Sequence, residues 1–312
     1  MRYTLRQLEI FVAVARAGSV SRAARQLSLS QSATSTSLGE FERQFDCQLF
    51  DRLGKRLRLN ELGQHLLPRA AALLDRAVEV EETLRGQAGI GALQVGATLT
   101  IGNYLAALLV GAFMQRHPES RIRLHVQNTD TVVDRVANYM LDLGLIEGEC
   151  SHRDVEVTPW IEDELVVFCS PDHPLADIGQ ISAEQLFDEA WILREEGSGT
   201  RRTLDYALRD FPDRLNIRLE LEHTEAIKRA VESGLGIGCI SRLALRDAFR
   251  RGDLVPLITP QLDLRRQFYF IWHREKYRTA GMQEFLRQCQ ALTRGIRTTD
   301  DLDLSSIPTL IE

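Results

Sequence analysis

Residues 18–35 constrain the fold more than any other stretch of this 312-residue chain. They read as two short helices joined by a tight polar turn. Ser19, or Val20 with Ser21, opens the first helix, where a hydroxyl can accept from a free first-turn N–H. Ala23, Ala24 and Leu27 recur at helical spacing, and the small alanines let a second helix cross closely. Residues 28–30 break the helix, with Leu29 the one apolar side chain in the break. Ser30 restarts it as an N-cap, and Leu38 and Phe41 continue its buried face. That leaves Gln31, Ser32, Thr34, Ser35 and Ser37 exposed at the front of the second helix. Short hydroxyl and amide side chains can meet base edges or phosphates without blocking entry into a major groove. The pattern is that of a helix-turn-helix. An ordinary helical hairpin with solvated serines is the plainer alternative.

Residues 50–60 favour the first reading. They form two short strands around a Gly54-Lys55 turn, and Arg52, Lys55, Arg56 and Arg58 make the hairpin basic, as suits a wing lying on a phosphate backbone. The candidate DNA contacts are therefore Gln7, Ser21, Arg22, Gln31, Ser32, Thr34, Ser35 and Ser37, with Arg52, Lys55, Arg56 and Arg58 of the wing.

With Leu5, Gln7, Leu8 and Phe11, then Gly18-Ser19-Val20, Ala23-Ala24, Ser30-Gln31-Ser32-Ala33, Leu49-Phe50-Asp51-Arg52 and Leu62-Gly63 in that order, the chain resembles the LysR-type transcriptional regulators. The resemblance runs to about residue 292. Within that family the chain is most similar to the YeiE-like branch, related to regulators of sulfur metabolism, through residues 100–104, 146–148, 162–168, 191–201 and 225–228. The resemblance implies an α/β chain with an N-terminal all-α winged helix-turn-helix, a long linker helix and a two-lobed periplasmic-binding-protein-like effector domain. The expected division is 1–60 for the DNA-binding domain, 61–85 for a linker and dimerisation helix, 86–91 for a hinge and 92–294 for the effector domain. Lobe I takes about 92–160 and 266–294, lobe II about 161–265, and 295–312 is left as a tail of unknown role.

A net charge of -6 at first disagrees with a DNA-binding chain. Residues 1–60 hold ten Lys/Arg and five Asp/Glu, so the head carries +5 and the remainder -11. A positive head on a negative body directs nucleic acid to one end. No window holds the ~18 consecutive apolar residues that a membrane span requires. Residues 1–3 lead straight into a charged amphipathic helix rather than a secretory signal, so a cytoplasmic protein without membrane partners is expected.

The first helix, from residue 4 to 17, presents Leu5, Leu8, Phe11, Val12 and Ala15 on one face and supports the recognition helix. Gln7 is placed to reach a phosphate. The linker helix, capped by Asn60-Glu61, carries Leu66, Ala70, Leu73, Ala77, Val80 and Leu84 at alternating spacings of four and three, a coiled-coil seam. Dimerisation through this seam is preferred over packing on the chain's own body, because a dimer presents two recognition helices to two half-sites. Pro68 is expected to bend the helix near its start.

Beyond the glycine-rich hinge, strands at 93–97, 121–127 and 143–146 alternate with helices at 98–117 and 131–141, which implies a parallel sheet with right-handed crossovers. A second unit follows, with strands at 165–169, 191–193, 217–221 and 237–240 and helices at 182–187, 200–208 and 224–233. A strand at 267–272 and a helix at 280–292 return to the first unit.

Ligands of open α/β sheets lie beyond the carboxyl ends of strands. Four such ends supply the candidate effector residues: Thr98, Thr100, Ile101, Gly102 and Asn103; Glu147; Glu195, Ser198, Gly199, Thr200 and Arg201; and Glu225. Thr100 and Thr200 open helices, whose free N–H groups favour an anion. Plain capping beside a glycine turn is the alternative for either alone, but both sit at corresponding positions of two lobes. Glu147, Glu195 and Glu225 oppose an anion unless Arg194, Arg201 or Lys228 pairs with them or they are protonated. They could equally fix arginines or receive a cationic group. The resemblance implies a small sulfur oxyanion as effector, sulfite first among candidates, and no cofactor.

Enzyme readings fail on spacing. Gly197-Ser198-Gly199-Thr200 has no following Lys and is no P-loop. Gly234, Gly236 and Gly238 follow a helix and precede a strand, the reverse of dinucleotide-binding order. The seven histidines make no metal-ligand pair, and no nucleophile elbow occurs. The five cysteines, Cys47, Cys150, Cys169, Cys239 and Cys289, are scattered, with no Cys-x-x-Cys pair. The expected function is a DNA-binding regulator, not an enzyme, whose partners are a promoter inverted repeat, further copies of itself in a dimer or tetramer, and RNA polymerase. Two alternatives stay open: a redox regulator acting through Cys150, and a small-molecule-binding protein with a vestigial DNA domain.

Overall fold

In a computed structural model, residues 2–53, 56–84, 90–211 and 215–303 of the chain are described. The head opens with α1 (Leu5–Ala17), α2 (Val20–Gln26) and α3 (Gln31–Gln44). At the start of α1 the Thr4 hydroxyl accepts from Gln7 N–H at 3.2 Å, while the Gln7 amide oxygen accepts from Thr4 N–H at 3.0 Å, a reciprocal capping box. Ser30 Oγ caps α3 by accepting from Ala33 N–H at 3.1 Å. Ser19 stands at the N-cap of α2, but its hydroxyl makes no capping bond. β1 (Phe50–Leu53) and β2 (Arg56–Leu59) pair antiparallel as the wing. Gly54 and Lys55, expected at its turn, lie outside the described residues, as do the side chains of Arg52 and Arg56.

Asn60 Oδ1 accepts from Gly63 N–H at 2.9 Å and starts α4 (Glu61–Leu84), which carries Pro68 within it. Gly63 is required there, because a Cβ would stand 2.2 Å from the Leu49 carbonyl oxygen. Phe11, Phe41 and Phe50 form the centre of the head's core, and Leu67, Ala70 and Ala71 of α4 close it. Leu5, expected on the buried face of α1, is half exposed, and Ile10 and Val14 fill that face instead. Along the outer part of α4, Leu62, Leu73, Val80 and Leu84 stay exposed. The opposite side docks on the chain's own effector domain: Tyr277 OH donates to Glu79 at 2.8 Å, and Lys276 pairs with Asp75.

The effector domain begins with β3 (Ala92–Ala97) and α5 (Leu99–Ile101), which continues through one π-helical turn into α6 (Ala107–Arg116). β4 (Arg121–Val126), α7 (Thr129–Ala137) and β5 (Leu143–Glu147) complete the first parallel unit. β6 (Val155–Cys169) leads to the second: α8 (Ala183–Asp188), β7 (Ala190–Arg194), α9 (Gly199–Ala207), β8 (Asn216–Leu221), α10 (Thr224–Glu232), β9 (Ile237–Ser241), α11 (Arg242–Arg251) and β10 (Val255–Leu257). β11 (Arg265–His273) and α12 (Ala280–Leu292) return to the first.

β3 lies parallel between β4 and β5, and β7 parallel between β8 and β9. β6 and β11 run antiparallel through both halves, giving the order β4-β3-β5-β11-β6-β9-β7-β8, with β10 on the edge of β6. Every residue of β5 and of β9 is buried, as expected of parallel strands covered on both faces. Helices cover each face of each half: Phe113 and Phe285 on one side of the first sheet, Val132 and Val136 on the other. The architecture is a winged helix-turn-helix joined by a long helix to a two-lobed α/β domain.

Three elements depart from expectation. β6 begins at Val155, not at residue 165, and α11 and β10 were unforeseen. Glu156, Glu162, Asp163 and Glu164 break the apolar pattern of β6 because several of them meet charges rather than an apolar core. Residues 297–302, part of the tail whose role the sequence left open, bridge to β6 and form a 3-10 turn at Thr299–Asp301.

Candidate functional site

The head places Ser21, Arg22, Gln31, Ser32 and Ser35 on exposed surface at the front of α2 and α3, with Ser37 half-buried and Arg58 exposed on the wing. Two expected contacts are corrected. Thr34 is fully buried, and its hydroxyl donates to the Ser30 carbonyl at 3.0 Å. Its position on α3 faces the head's core, one turn before Leu38, so it cannot meet a base. Gln7 is buried and committed to the Thr4 capping box. Thr36, which the sequence reading passed over, is exposed on α3.

In the effector domain the expected strand ends converge on a residue the sequence reading missed. Arg266, opposite Asp163 in the β11–β6 register, is buried where the two lobes meet. Its Nε donates to Asp163 Oδ2 at 2.7 Å, Nη1 to Thr200 Oγ1 at 2.9 Å, and Nη2 to Thr100 Oγ1 at 3.3 Å. Glu147 Oε2 stands 2.5 Å from Nη2 without the alignment of a hydrogen bond, and Glu147 Oε1 accepts weakly from Thr100 N–H at 3.4 Å. Burial by itself lowers the Arg266 pKa, but the Glu147 and Asp163 carboxylates outweigh it and hold the guanidinium above its ordinary value. Asp163 is saturated in turn, its Oδ1 accepting from Ser241 at 2.8 Å and Thr299 at 2.7 Å. One buried cation thus joins the N-termini of α5 and α9, one from each lobe.

The lobes also touch directly. Gly199 N–H donates to Thr129 Oγ1 at 3.0 Å, Asp130 N–H to the Gly197 carbonyl at 3.2 Å, and Arg202 pairs with Asp130 at 2.5 Å. A Cβ on Gly199 would stand 2.1 Å from the Glu147 carbonyl oxygen, so only glycine permits this approach. At the mouth, Tyr104 OH from lobe I donates to the Glu225 carboxylate of lobe II, with Lys228 against both. Desolvation, followed by the bond to Glu225, pushes the Tyr104 pKa well above its ordinary range.

The other expected effector residues divide. Thr98 is buried at the start of α5, and its hydroxyl donates to the Leu145 carbonyl at 3.5 Å. Ser198 Oγ is buried at the N-cap of α9 and has no hydrogen-bond partner among the described residues, and the same holds for Arg194 Nη1 at the end of β7. Glu195 pairs with Arg194 at 2.8 Å and Glu225 with Lys228 at 2.6 Å, so two of the troublesome carboxylates have the partners expected. Glu147 pairs with Arg266 instead. Three residues are corrected. Ile101 points into the core of lobe I, Gly102 packs on Val126 of β4, and Arg201 is held within lobe II by Asp205, Glu220 and the Arg194 carbonyl. Asn103 is exposed on the π turn. Consecutive helical residues point about 100° apart, so Ile101 and Arg201 turn away from the cleft that Thr100 and Thr200 face. Arg266 and Asp163 were legible only as a charge inside an apolar strand opposite an acidic run.

Two family descriptions match the chain: "Bacterial regulatory helix-turn-helix protein, lysR family" over residues 5–64, and "LysR substrate binding domain" over residues 86–294. The chain belongs to the LysR family. It is 43% identical to the uncharacterized HTH-type transcriptional regulator YeiE of Escherichia coli K12, over 93% of this chain and 98% of that one. The regulatory domain of Synechocystis PCC6803 CcmR, solved in complex with 2-PG, is similar with a TM-score of 0.62 and 31% identity, covering 66% of this chain and 99% of that one. A full-length OxyR variant of Pseudomonas aeruginosa shares the fold at a TM-score of 0.70 and 23% identity, covering 93% of this chain and 94% of that one. This LysR-family chain is therefore a DNA-binding transcriptional regulator with a small-molecule effector domain. Among the described residues, no helix is long and apolar enough to cross a membrane.

Proposed function

We propose that this regulator binds an inverted-repeat promoter site as a homodimer or tetramer in the cytoplasm, and that a small oxyanion, sulfite first among candidates, binds where its two lobes meet. Gln31, Ser32 and Ser35 would read bases, and Arg58 with Arg52, Lys55 and Arg56 would hold phosphates. The observation that carries the effector reading is Arg266, a buried guanidinium that joins the hydroxyls of Thr100 and Thr200 at the N-termini of two helices. Such helix ends favour an anion, and the unpartnered Ser198 Oγ offers it a further donor. An entering anion competes with Glu147 for Arg266, so it must accept strongly from the guanidinium. The 2-PG bound by the CcmR domain fits an anion in this class of domain. The oligomer reading rests on the exposed Leu73, Val80 and Leu84 of α4. It rests equally on a groove of about 470 Å³ beside them, lined by Phe45, Leu62, Leu66 and Leu73.

The test is thermal unfolding with sulfite, sulfate, thiosulfate, phosphate and 2-PG. A ligand at ~100 times its dissociation constant adds about 2.7 kcal/mol. A selective shift that Thr100→Ala and Thr200→Ala both remove supports the reading. No shift with any of the five excludes them as effectors, sulfite included, and leaves DNA binding untouched.

A further inference from the structure

The LysR substrate-binding match ends at residue 294, yet the chain after it turns back at Gly295 (φ 81°) and enters the junction between the lobes. Glu162 N–H, on β6, donates to the Arg297 carbonyl at 2.9 Å. Arg246, on α11 of lobe II, donates from Nη1 to the Leu302 carbonyl at 2.7 Å and from Nη2 to the Thr299 carbonyl at 2.7 Å. Leu302 is buried among the apolar side chains of lobe I. The segment is thus held by the crossing strand and by both lobes at once.

What it carries inward is Thr299, which is 1% exposed and donates its hydroxyl to Asp163 Oδ1. Asp163 Oδ1 also accepts from Ser241, while Oδ2 accepts from Arg266 Nε. A carboxylate with both oxygens fixed cannot rotate, so the direction of the Arg266 guanidinium is set from behind by Thr299 and Ser241. In a site of low dielectric, removing the Thr299 hydroxyl leaves Asp163 Oδ1 with Ser241 as its one donor and half of its hold lost.

We propose that Thr299 is a positioning residue of the effector site, acting through Asp163 to aim Arg266 at Thr100 and Thr200. Residues 295–303 are then a working part of the cleft rather than a dispensable end. This rests on the reading that the effector binds at Arg266, and the test separates the two.

Full-length wild type, Thr299→Val and Thr299→Ser are compared by the half-maximal concentrations of sulfite and of 2-PG in thermal-shift titrations. Hydrogen–deuterium exchange of peptides covering 161–166 and 264–268 is measured on the same proteins. Valine keeps the volume and loses the hydroxyl, whereas serine keeps the hydroxyl. Thr299→Val should weaken binding of the responding anion about tenfold and Thr299→Ser by less than about threefold. Exchange should rise in both peptides for valine alone. Arg246→Ala, which frees the segment without touching the charge cluster, should match Thr299→Val. If the wild type responds to an anion and Thr299→Val binds it unchanged, the proposal is overturned even if the variant melts earlier. If neither anion shifts the wild type, those two anions are excluded as effectors and exchange decides the positioning role. Faster exchange restored by serine upholds it, and equal exchange in all proteins overturns it.

Discussion

Lys276 Nζ lies 2.8 Å from Asp75 Oδ2, joining the linker helix to the effector domain through a cation whose side chain is 3% exposed. Asp142 Oδ1 stands on its other side, also at 2.8 Å. Burial alone lowers the Lys276 pKa, but Asp142 and Asp75 outweigh it and raise it above 10.5. A cation whose folded pKa is raised contributes stability that is fully present below its unfolded value and lost only as the pH climbs through the folded one. At neutral pH the contribution is therefore complete. Lys276→Met would leave two carboxylates facing each other and should cost about 2–4 kcal/mol in thermal or urea unfolding. A loss under about 0.5 kcal/mol would mean that solvent replaces the lysine, as at a surface pair.

Acid should act on the same junction through His273. Its ring stacks on Tyr139 with centroids 4.1 Å apart, and its Nδ1 is bonded to Tyr139 OH at 2.8 Å. Tyr139 in turn packs into the core of the head. Burial is the largest influence and lowers the His273 pKa below 6.5; His152 and Lys276 lower it further, against Asp154 and Glu275. A histidine with a depressed folded pKa contributes stability present above its unfolded value and lost as the pH falls through the folded one. The melting temperature should thus fall as the pH drops below about 6.5, and His273→Gln should flatten that slope. Equal slopes in both proteins would place the acid sensitivity elsewhere.

On DNA, side chains of α3 and of the wing should separate by what they change. Arg58→Ala should weaken binding to all sequences and reduce the salt dependence by about one counterion. Gln31→Ala should cost about 1–3 kcal/mol at the preferred sequence and relax discrimination there. Thr34→Val, which removes a buried hydroxyl bond to the Ser30 carbonyl, should lower stability by about 1 kcal/mol and leave selectivity alone. Fluorescence anisotropy across a salt series on matched and altered sites distinguishes the three. Altered selectivity in Thr34→Val would contradict its burial.

That last contrast shows where the sequence was legible. Alternating apolar spacing identified α1, α3, α4 and nearly every strand of the effector domain, because burial on one face imposes a period. Thr34 and Gln7 were misplaced because a short polar side chain looks the same in sequence whether it faces solvent or closes a local backbone bond. Thr100, Thr200 and Glu147 were found from their positions at strand ends. Arg266, Asp163 and Thr299 were not, since residues 266, 163 and 299 meet only through the crossing of β6 and β11 and the return of the terminal segment. Contacts of that kind have no local period.

Cys150 should prove silent to oxidants. Burial raises its thiol above the ordinary value, more than the His152 backbone bond and Arg202 lower it, so little thiolate forms at neutral pH. Cys150→Ser should therefore leave the response of a promoter fusion to peroxide unchanged. A lost response would revive the redox reading and demote the cleft.

Gly199→Ala tests whether closure of the lobes carries the signal. The added methyl would stand 2.1 Å from the Glu147 carbonyl oxygen and 2.9 Å from Thr129 Oγ1. A backbone oxygen cannot swing aside, so the lobes must part, and the N–H bond from Gly199 to Thr129 parts with them. The closed state should be penalised by about 1–3 kcal/mol, comparable to overpacking a core. A ligand shifts such an equilibrium only by its differential affinity for the two states, so the anion response should weaken by about tenfold or more. The head lies outside this contact, and affinity for DNA without anion should stay within about threefold of wild type. Parallel anisotropy titrations with and without anion measure both quantities. A wild-type anion response in Gly199→Ala would show that the cleft signals without closing, and that Arg266 acts on the head by another route.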